Sequence, residues 1–302
     1  MPVFGHVATA MATPFREDGS LDIDGCQKLA RHLVEHGTDT IVVAGTTGES
    51  PTLYGDETWD LLRAVKEAVG SDGKVIVGTG SNDTRHALLT TQQANKIGVD
   101  GVLVVTPYYN RPDAAGMLAH FSLLAAETDA AVLLYDIPAR TACEIPIEVL
   151  TELAGIGNIV GVKDATGDIA KATRVLSATV GAPGGFEVYA GAEELTLPMM
   201  AIGAAGVVSV ASHLAGTHIA EMCRAASTDR ARAMQLHHAL LPLVDALFAA
   251  PSPAPLKGAL ARLDLPSGPV RLPLVDAPKT VVDAVLDALT ALDAAAALEG
   301  TA

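Results

Sequence analysis

Aromatic side chains are scarce in this sequence, at 4% of 302 residues with a single tryptophan, so any core must be built from Ala, Val, Leu and Ile. Positive charge is scarce too. Twenty Lys and Arg face 35 Asp and Glu, giving a net charge of −15, and no Lys/Arg cluster offers the basic surface that phosphate backbones or anionic membranes need. Nucleic acid and membrane surfaces are therefore not expected partners. A small anionic substrate stays open, because one or two local cations override a distant field. Cysteine is limited to Cys26, Cys143 and Cys223, odd in number and far apart. That pattern gives neither a disulfide framework nor metal-ligand spacing, and suits a reducing cytoplasm. The first residues, MPVFGHVATAMATPF, lack the basic start and apolar run of a secretory signal. One long uncharged stretch, Leu195 to Gly216, is interrupted by Pro198, Gly203, Gly206, Ser209 and Ser212, and reads as a helix end, a turn and a short strand rather than a membrane span.

What the chain does have is a repeated beat. Short Val/Ile-rich runs recur near Val7–Ala12, Thr40–Ala44, Val75–Gly78, Gly101–Thr106, Ala131–Tyr135, Ile159–Lys163, Phe186–Ala190 and Val207–Val210. They are apolar throughout, as parallel strands covered on both faces must be. Helical patterns separate them, including Asp22–Glu35, Asp56–Val69, Asp83–Lys96 and Asp113–Glu127, each opening on an aspartate placed to cap free N–H groups. Eight such units predict an α/β fold, a closed (β/α)8 TIM barrel. An open doubly wound sheet shares the rhythm, but no glycine-rich dinucleotide turn follows the first strand. The predicted barrel covers residues 1–226. A C-terminal helical extension, residues 227–302, follows, with helices near Asp229–Phe248, Pro255–Leu263 and Lys279–Leu298.

In such barrels the chemistry lies at the carboxyl ends of the strands. There the sequence reads Gly45-Thr46-Thr47-Gly48-Glu49-Ser50, Thr106-Pro107-Tyr108-Tyr109-Asn110-Arg111-Pro112, Tyr135-Asp136-Ile137-Pro138-Ala139-Arg140-Thr141 and Lys163-Asp164. Three of the five tyrosines fall in this set. Lys163 alone among eight lysines ends a Val/Ile run. Lys74 precedes its strand, and Lys28, Lys66, Lys96 and Lys171 fit helix surfaces. A lysine partly desolvated in a barrel mouth can attack a carbonyl and form a Schiff base, with Tyr135 one strand away to move protons. A solvated strand-end lysine is the other reading, and the residues alone leave both open. The GTTGES loop lacks the Gly-Lys-Ser/Thr ending of a phosphate loop. Its hydroxyls among glycines suit either a carboxylate or a capped tight turn. The acidic Gly191-Ala192-Glu193-Glu194 after the seventh strand argues against a phosphorylated substrate. Arg140, read as a loop residue, suits a bidentate grip on a carboxylate or simple exposure at the surface. His237-His238 reads as helix surface, and no metal site is visible.

Together GTTGES, TPYYNRP, YDIPART and GVKDATGD, in that order and spacing, resemble the dihydrodipicolinate synthases of the pyruvate-dependent class I aldolase superfamily, over nearly the whole chain. The resemblance implies a barrel with a helical tail, a cytoplasmic homotetramer built as a dimer of dimers, and no cofactor beyond a covalent imine. It implies condensation of pyruvate with L-aspartate 4-semialdehyde in diaminopimelate and lysine biosynthesis. By motif, Lys163 would carry the Schiff base and Tyr135 would transfer protons. Thr46 would link Tyr135 to Tyr109 of a neighbouring subunit, and Thr47 would hold the pyruvate carboxylate. Arg140 would bind the carboxylate of the aldehyde substrate, and Gly191 and Val208 would line the pyruvate pocket. The sequence departs from many members in reading Gly191-Ala192-Glu193 rather than Gly-Asp-Asp. It also has Gly55, Thr58 and His86 where lysine-inhibited members carry two histidines and a glutamate, although Asn82 and Tyr108 remain. Weak or absent lysine feedback is expected. The rival readings are a sibling lyase or dehydratase of 2-keto-3-deoxy sugar acids, which need not keep Arg140, and a silent paralogue that only binds a keto acid.

Overall fold

The structure is a computed structural model that describes residues 1–299. Strands and helices alternate along it: β1 (Val7–Ala10), α1 (Ile23–Glu35), β2 (Thr40–Val43), α2 (Glu57–Val69), β3 (Lys74–Gly78), α3 (Thr84–Ile97), β4 (Gly101–Val105), α4 (Ala114–Ala126), β5 (Ala131–Asp136), α5 (Pro138–Thr141), α6 (Ile147–Leu153), β6 (Ile159–Asp164), α7 (Ile169–Ala178), β7 (Glu187–Ala190), α8 (Thr196–Ala201) and β8 (Gly206–Ser209). Helices α9 (Ser212–Ala225), α10 (Arg230–Leu247), α11 (Ala254–Arg262) and α12 (Lys279–Glu299) follow. The eight strands close in chain order into one barrel. Every predicted strand is present, shifted by no more than a few residues, because near-continuous Val/Ile runs have no solvated face and can only be covered on both sides. Between Leu195 and Gly216 lie α8, a turn, β8 and the start of α9. No helix among the described residues is long and apolar enough to cross a membrane.

Contacts divide the chain into two compact units. The first comprises Met1–Ala8 and Lys74–Val208. Its core is aliphatic: Ile76, Val77, Val102, Val104, Leu133, Leu134, Ile159 and Val188 are wholly buried. Each such side chain removed from water contributes about 1.5–3 kcal/mol. Strand β5 pairs with β6 in parallel, Leu133 with Gly161, Leu134 with Val162, Tyr135 with Lys163 and Asp136 with Asp164. Gly161 is required by its neighbour, since a Cβ there would lie 2.2 Å from the Glu187 carbonyl oxygen on β7. The second unit comprises Thr9–Gly73 and the chain from Ser209 onward. Its buried aliphatics include Leu29, Leu33, Ile41, Leu61, Leu62, Leu243 and Leu260.

Two of the four expected aspartate caps form. Asp83 accepts from the Arg85 N–H and Asp113 from the Gly116 N–H. Asp56 does not cap, because its backbone is already helical and Glu57 instead turns back to accept the Tyr54 N–H. Asp22 makes no side-chain cap, and its own N–H donates to the Pro14 carbonyl. Arg140, expected in a loop, lies in the single-turn helix α5 that Pro138 opens.

Candidate active site

Strand alternation sends Tyr135 and Lys163, register partners on adjacent strands, out of one face of the sheet, and sends Asp136 and Asp164 out of the other. Lys163 is 7% exposed and Tyr135 6%. The Lys163 Nζ stands 4.3 Å from the centre of the Tyr135 ring. The ring face attracts the amine, yet no carboxylate pairs with Lys163 among the described residues. Burial without a counter-ion is costly for an ammonium group. The second reading of Lys163, a strand-end lysine reaching solvent, does not survive this geometry.

The neighbouring strand ends complete the surroundings in the same unit. Gly191 donates its N–H to the Asp164 carbonyl at 2.7 Å, and a Cβ on it would meet the Ala165 Cβ at 2.8 Å, so β7 can close against β6 only with glycine there. Val208 on β8 is buried. The Arg140 side chain forms no hydrogen bond or ion pair among the described residues, and the residue is exposed. Tyr109 is 90% exposed. It is held at φ +69°, with Arg111 at +48°, in a loop braced by the Asn110 side-chain amide on the Asn82 carbonyl. Left-handed backbone at two non-glycine residues costs of order 1–3 kcal/mol each and marks a constrained loop. The structure thus brings Lys163 and Tyr135 together but leaves the Tyr109 ring facing solvent.

In the second unit, Thr46 and Thr47 follow β2. Thr47 is buried and Thr46 half-buried. Glu49, in the same loop at φ +54°, donates its N–H to the Thr46 carbonyl and turns its buried carboxylate to Lys257. Lys257 is 2% exposed, and its Nζ donates to Glu49 Oε1 at 2.8 Å, the Thr13 carbonyl at 3.0 Å and the Pro269 carbonyl at 2.7 Å. Arg271 gives its backbone N–H to Glu49 Oε2 and two guanidinium bonds to Glu57. Burial draws the Lys257 ammonium below the usual lysine range, although Glu49 opposes this.

Behind the Tyr135–Lys163 face lies a group the sequence did not announce. Asp136 is wholly buried, and its Oδ2 accepts from Lys171 Nζ at 2.7 Å and from the Ile145 N–H at 3.1 Å. Burial pushes the Asp136 carboxyl up to about 6, against the pull of Lys171. Lys171 also reaches Glu144 Oε2 at 3.3 Å. It was expected on a helix surface and is 6% exposed instead, because its partners lie on other segments of the chain. One signal for the pair was present: an aspartate continuing a wholly apolar strand must find a partner or remain neutral.

A sequence model of the dihydrodipicolinate synthetase family matches residues 3–292. The chain belongs to the dihydrodipicolinate synthetase family. Among its relatives, a 4-hydroxy-tetrahydrodipicolinate synthase of Moorella thermoacetica is 47% identical over 287 residues, 95% of this chain and 97% of the relative. The solved dihydrodipicolinate synthase of Cyanidioschyzon merolae, with lysine bound, superposes with a TM-score of 0.93 at 41% identity, covering 97% of this chain and 99% of that one. The chloride-inhibited family member from Acinetobacter baumannii, solved with pyruvate, superposes at 0.92 with 33% identity, covering 96% and 99%.

Proposed function

We propose that this chain condenses pyruvate with L-aspartate 4-semialdehyde to 4-hydroxy-tetrahydrodipicolinate, the entry step to diaminopimelate and lysine. The observation that carries the reading is the buried Lys163 amine, set over the Tyr135 ring with no carboxylate paired to it among the described residues, in a chain of this family. Lys163 Nζ attacks the pyruvate C2 carbonyl, and water leaves as the imine forms. Loss of a methyl proton gives the enamine, whose carbon attacks the aldehyde carbon. The amino group of the second substrate then adds to the imine carbon, closes the ring and displaces Lys163. No cofactor takes part in this sequence. Tyr135 carries protons between these steps, as a positioned general acid and base does.

In the same proposal Thr47 holds the pyruvate carboxylate, Gly191 and Val208 line its pocket, and Arg140 grips the carboxylate of the semialdehyde. Thr46 relays protons from Tyr135 to a Tyr109 contributed by a second subunit of a homotetramer built as a dimer of dimers. The near-complete exposure of Tyr109 on a strained loop supports that role, since such a ring has no partner among the described residues of its own chain. A cytoplasmic location and the division into a catalytic barrel, 1–226, and a helical extension, 227–302, belong to the same reading.

The test is to mix the protein with pyruvate, reduce with borohydride and map the adduct by mass spectrometry. A reduced pyruvate adduct on Lys163 is expected. No adduct on a folded protein moves the silent keto-acid binder to the front. Arg140→Ala then separates the sibling enzymes: it should weaken use of aspartate semialdehyde and spare pyruvate trapping. An unchanged rate would favour the lyases and dehydratases of 2-keto-3-deoxy sugar acids.

A further inference from the structure

Between the end of β5 and Ile145 the chain makes a short excursion that carries Arg140. Its internal bonds are local. The Arg140 and Thr141 N–H groups donate to the Ile137 carbonyl, the Thr141 hydroxyl bonds the Ile137 and Cys143 carbonyls, and Ala142 is held at φ +59°. Cys143 Sγ reaches the Pro107 carbonyl at 3.4 Å, and the two ends of the excursion are tied to each other by Asp136. Its Oδ2 accepts the Ile145 N–H, so one carboxylate joins the first residue of the excursion to the residue that ends it. Lys171, in the first turn of α7, locks that carboxylate at 2.7 Å and reaches Glu144 at 3.3 Å. The far oxygen, Asp136 Oδ1, is buried without a hydrogen-bond partner. A fully desolvated carboxylate left half-satisfied disfavours folding unless its other bonds hold it firmly. The Arg140 side chain, by contrast, has no hydrogen bond or ion pair among the described residues to orient it.

We propose that Asp136 and Lys171 are positioning residues for Arg140, and through it set how well the protein takes the carboxylate of its second, aldehyde substrate. The inference rests on the functional reading above. It differs from a merely structural role in one respect. Asp136 also follows Tyr135 directly and pairs in register with Asp164 beside Lys163, so general loosening would disturb pyruvate chemistry and aldehyde binding alike. A clasp on the Arg140 excursion disturbs only the second.

The experiment compares wild type, Asp136→Asn, Lys171→Gln, Lys171→Arg, Arg140→Ala and the Asp136→Asn/Arg140→Ala double variant, all in the full chain and checked for folding by thermal melting. Asp136→Asn is nearly isosteric and retains an acceptor for Ile145, so it stands even if Lys171→Gln fails to fold. KM is measured for each substrate, and pyruvate trapping at Lys163 by borohydride. Asp136→Asn is expected to raise KM for aspartate semialdehyde roughly three- to tenfold, the scale of one weakened hydrogen bond. KM for pyruvate and trapping at Lys163 should stay as in wild type. Lys171→Arg should stay close to wild type, and Asp136→Asn should add nothing once Arg140 is alanine. Parallel rises in both KM values, additive effects in the double variant, or no change in either KM would each overturn the proposal. Failure of wild type to trap pyruvate would instead sink the functional reading, a result seen before any variant is made.

Discussion

Three lysines are buried among the described residues, and their surroundings treat the amine in two opposite ways. Behind the sheet Lys171 faces Asp136 and Glu144, and in the second unit Lys257 faces Glu49 and two carbonyls. Lys163, on the other face of the same strands as Asp136, has an aromatic ring and, among the described residues, no carboxylate partner. Charge pairing offsets the cost of burying an ammonium, as Glu49 opposes the downward pull of burial on Lys257. In the proposed function it is the amine without that pairing, Lys163, that acts on the carbonyl.

The sharpest way to break the comparison is to remove each amine. Lys163→Ala should abolish turnover, by at least about 10^4-fold, because it removes the proposed nucleophile. It should leave the melting temperature close to wild type, since no charge partner is stranded. Steady-state rates with a parallel thermal melt decide this, and a large loss of stability would show that Lys163 is also a structural residue. Tyr135→Phe comes next. It keeps the ring over Lys163 and removes only the hydroxyl, so kcat should fall by about 10^2 to 10^4 without a change in melting, as loss of a general acid–base group does. A rate within a few-fold of wild type would assign proton transfer elsewhere.

Lys257→Met gives the reverse signature. Stranding the buried Glu49 carboxylate should cost about 3–5 kcal/mol of stability, with activity lost only as folded protein is lost. Adding Glu49→Gln to Lys257→Met should recover most of that stability. A chemical denaturation series on wild type and the two variants tests it, and a Lys257→Met variant as stable as wild type would mean that Arg271 alone satisfies Glu49.

How much of this could be read from residues in order follows from the range of each interaction. The strands were legible because continuous Val/Ile runs carry their own burial. Lys163 stood out because its run ended on it, and Tyr135 because it ended the run before. Lys171 and Lys257 were not legible, because their partners Asp136 and Glu49 lie 35 and 208 residues away. On α7 the periodic pattern around Lys171 is that of any amphipathic helix. Asp56 failed as a cap for a similar reason: Glu57 serves the Tyr54 N–H, and type and position alone do not say which acid turns back. Glu49 was visible inside GTTGES, yet nothing local says that its carboxylate points at a lysine from α11 rather than at a substrate.

A buried histidine extends the comparison to groups kept neutral by design of their bonds. The His213 Nδ1 donates to the Val210 carbonyl at 2.8 Å and its Nε2 accepts the Ala12 N–H at 3.0 Å, a role open only to the uncharged ring. Burial draws its pKa down to about 4. The folded value lies below the unfolded one near 6.5, so between these the unfolded chain binds a proton that the folded chain refuses. This group's contribution is present above pH 6.5 and is lost as pH falls toward 4, by about 3 kcal/mol in all. Imidazole resonances of His213 that titrate near pH 6.5 in the folded protein would contradict the assignment.

The smallest effect expected is that of free lysine. An amino-acid ammonium is held in this protein wherever a carboxylate meets it, as at Asp136 and Glu49. The relative from Cyanidioschyzon merolae binds lysine, and in lysine-inhibited members a glutamate and two histidines stand at positions that here are His86, Gly55 and Thr58. His86 is exposed and brings no negative charge, and Gly55 brings no side chain at all. Asn82 and Tyr108 can still accept or donate hydrogen bonds, but neither neutralises an ammonium. Millimolar lysine should therefore leave the condensation rate unchanged, and half-inhibition below a millimolar would refute this. His86→Glu supplies the one missing charge. If the pairing rule drawn from Lys171 and Lys257 governs free lysine too, that single substitution should make the rate sensitive to lysine, while stability and pyruvate trapping stay as they were.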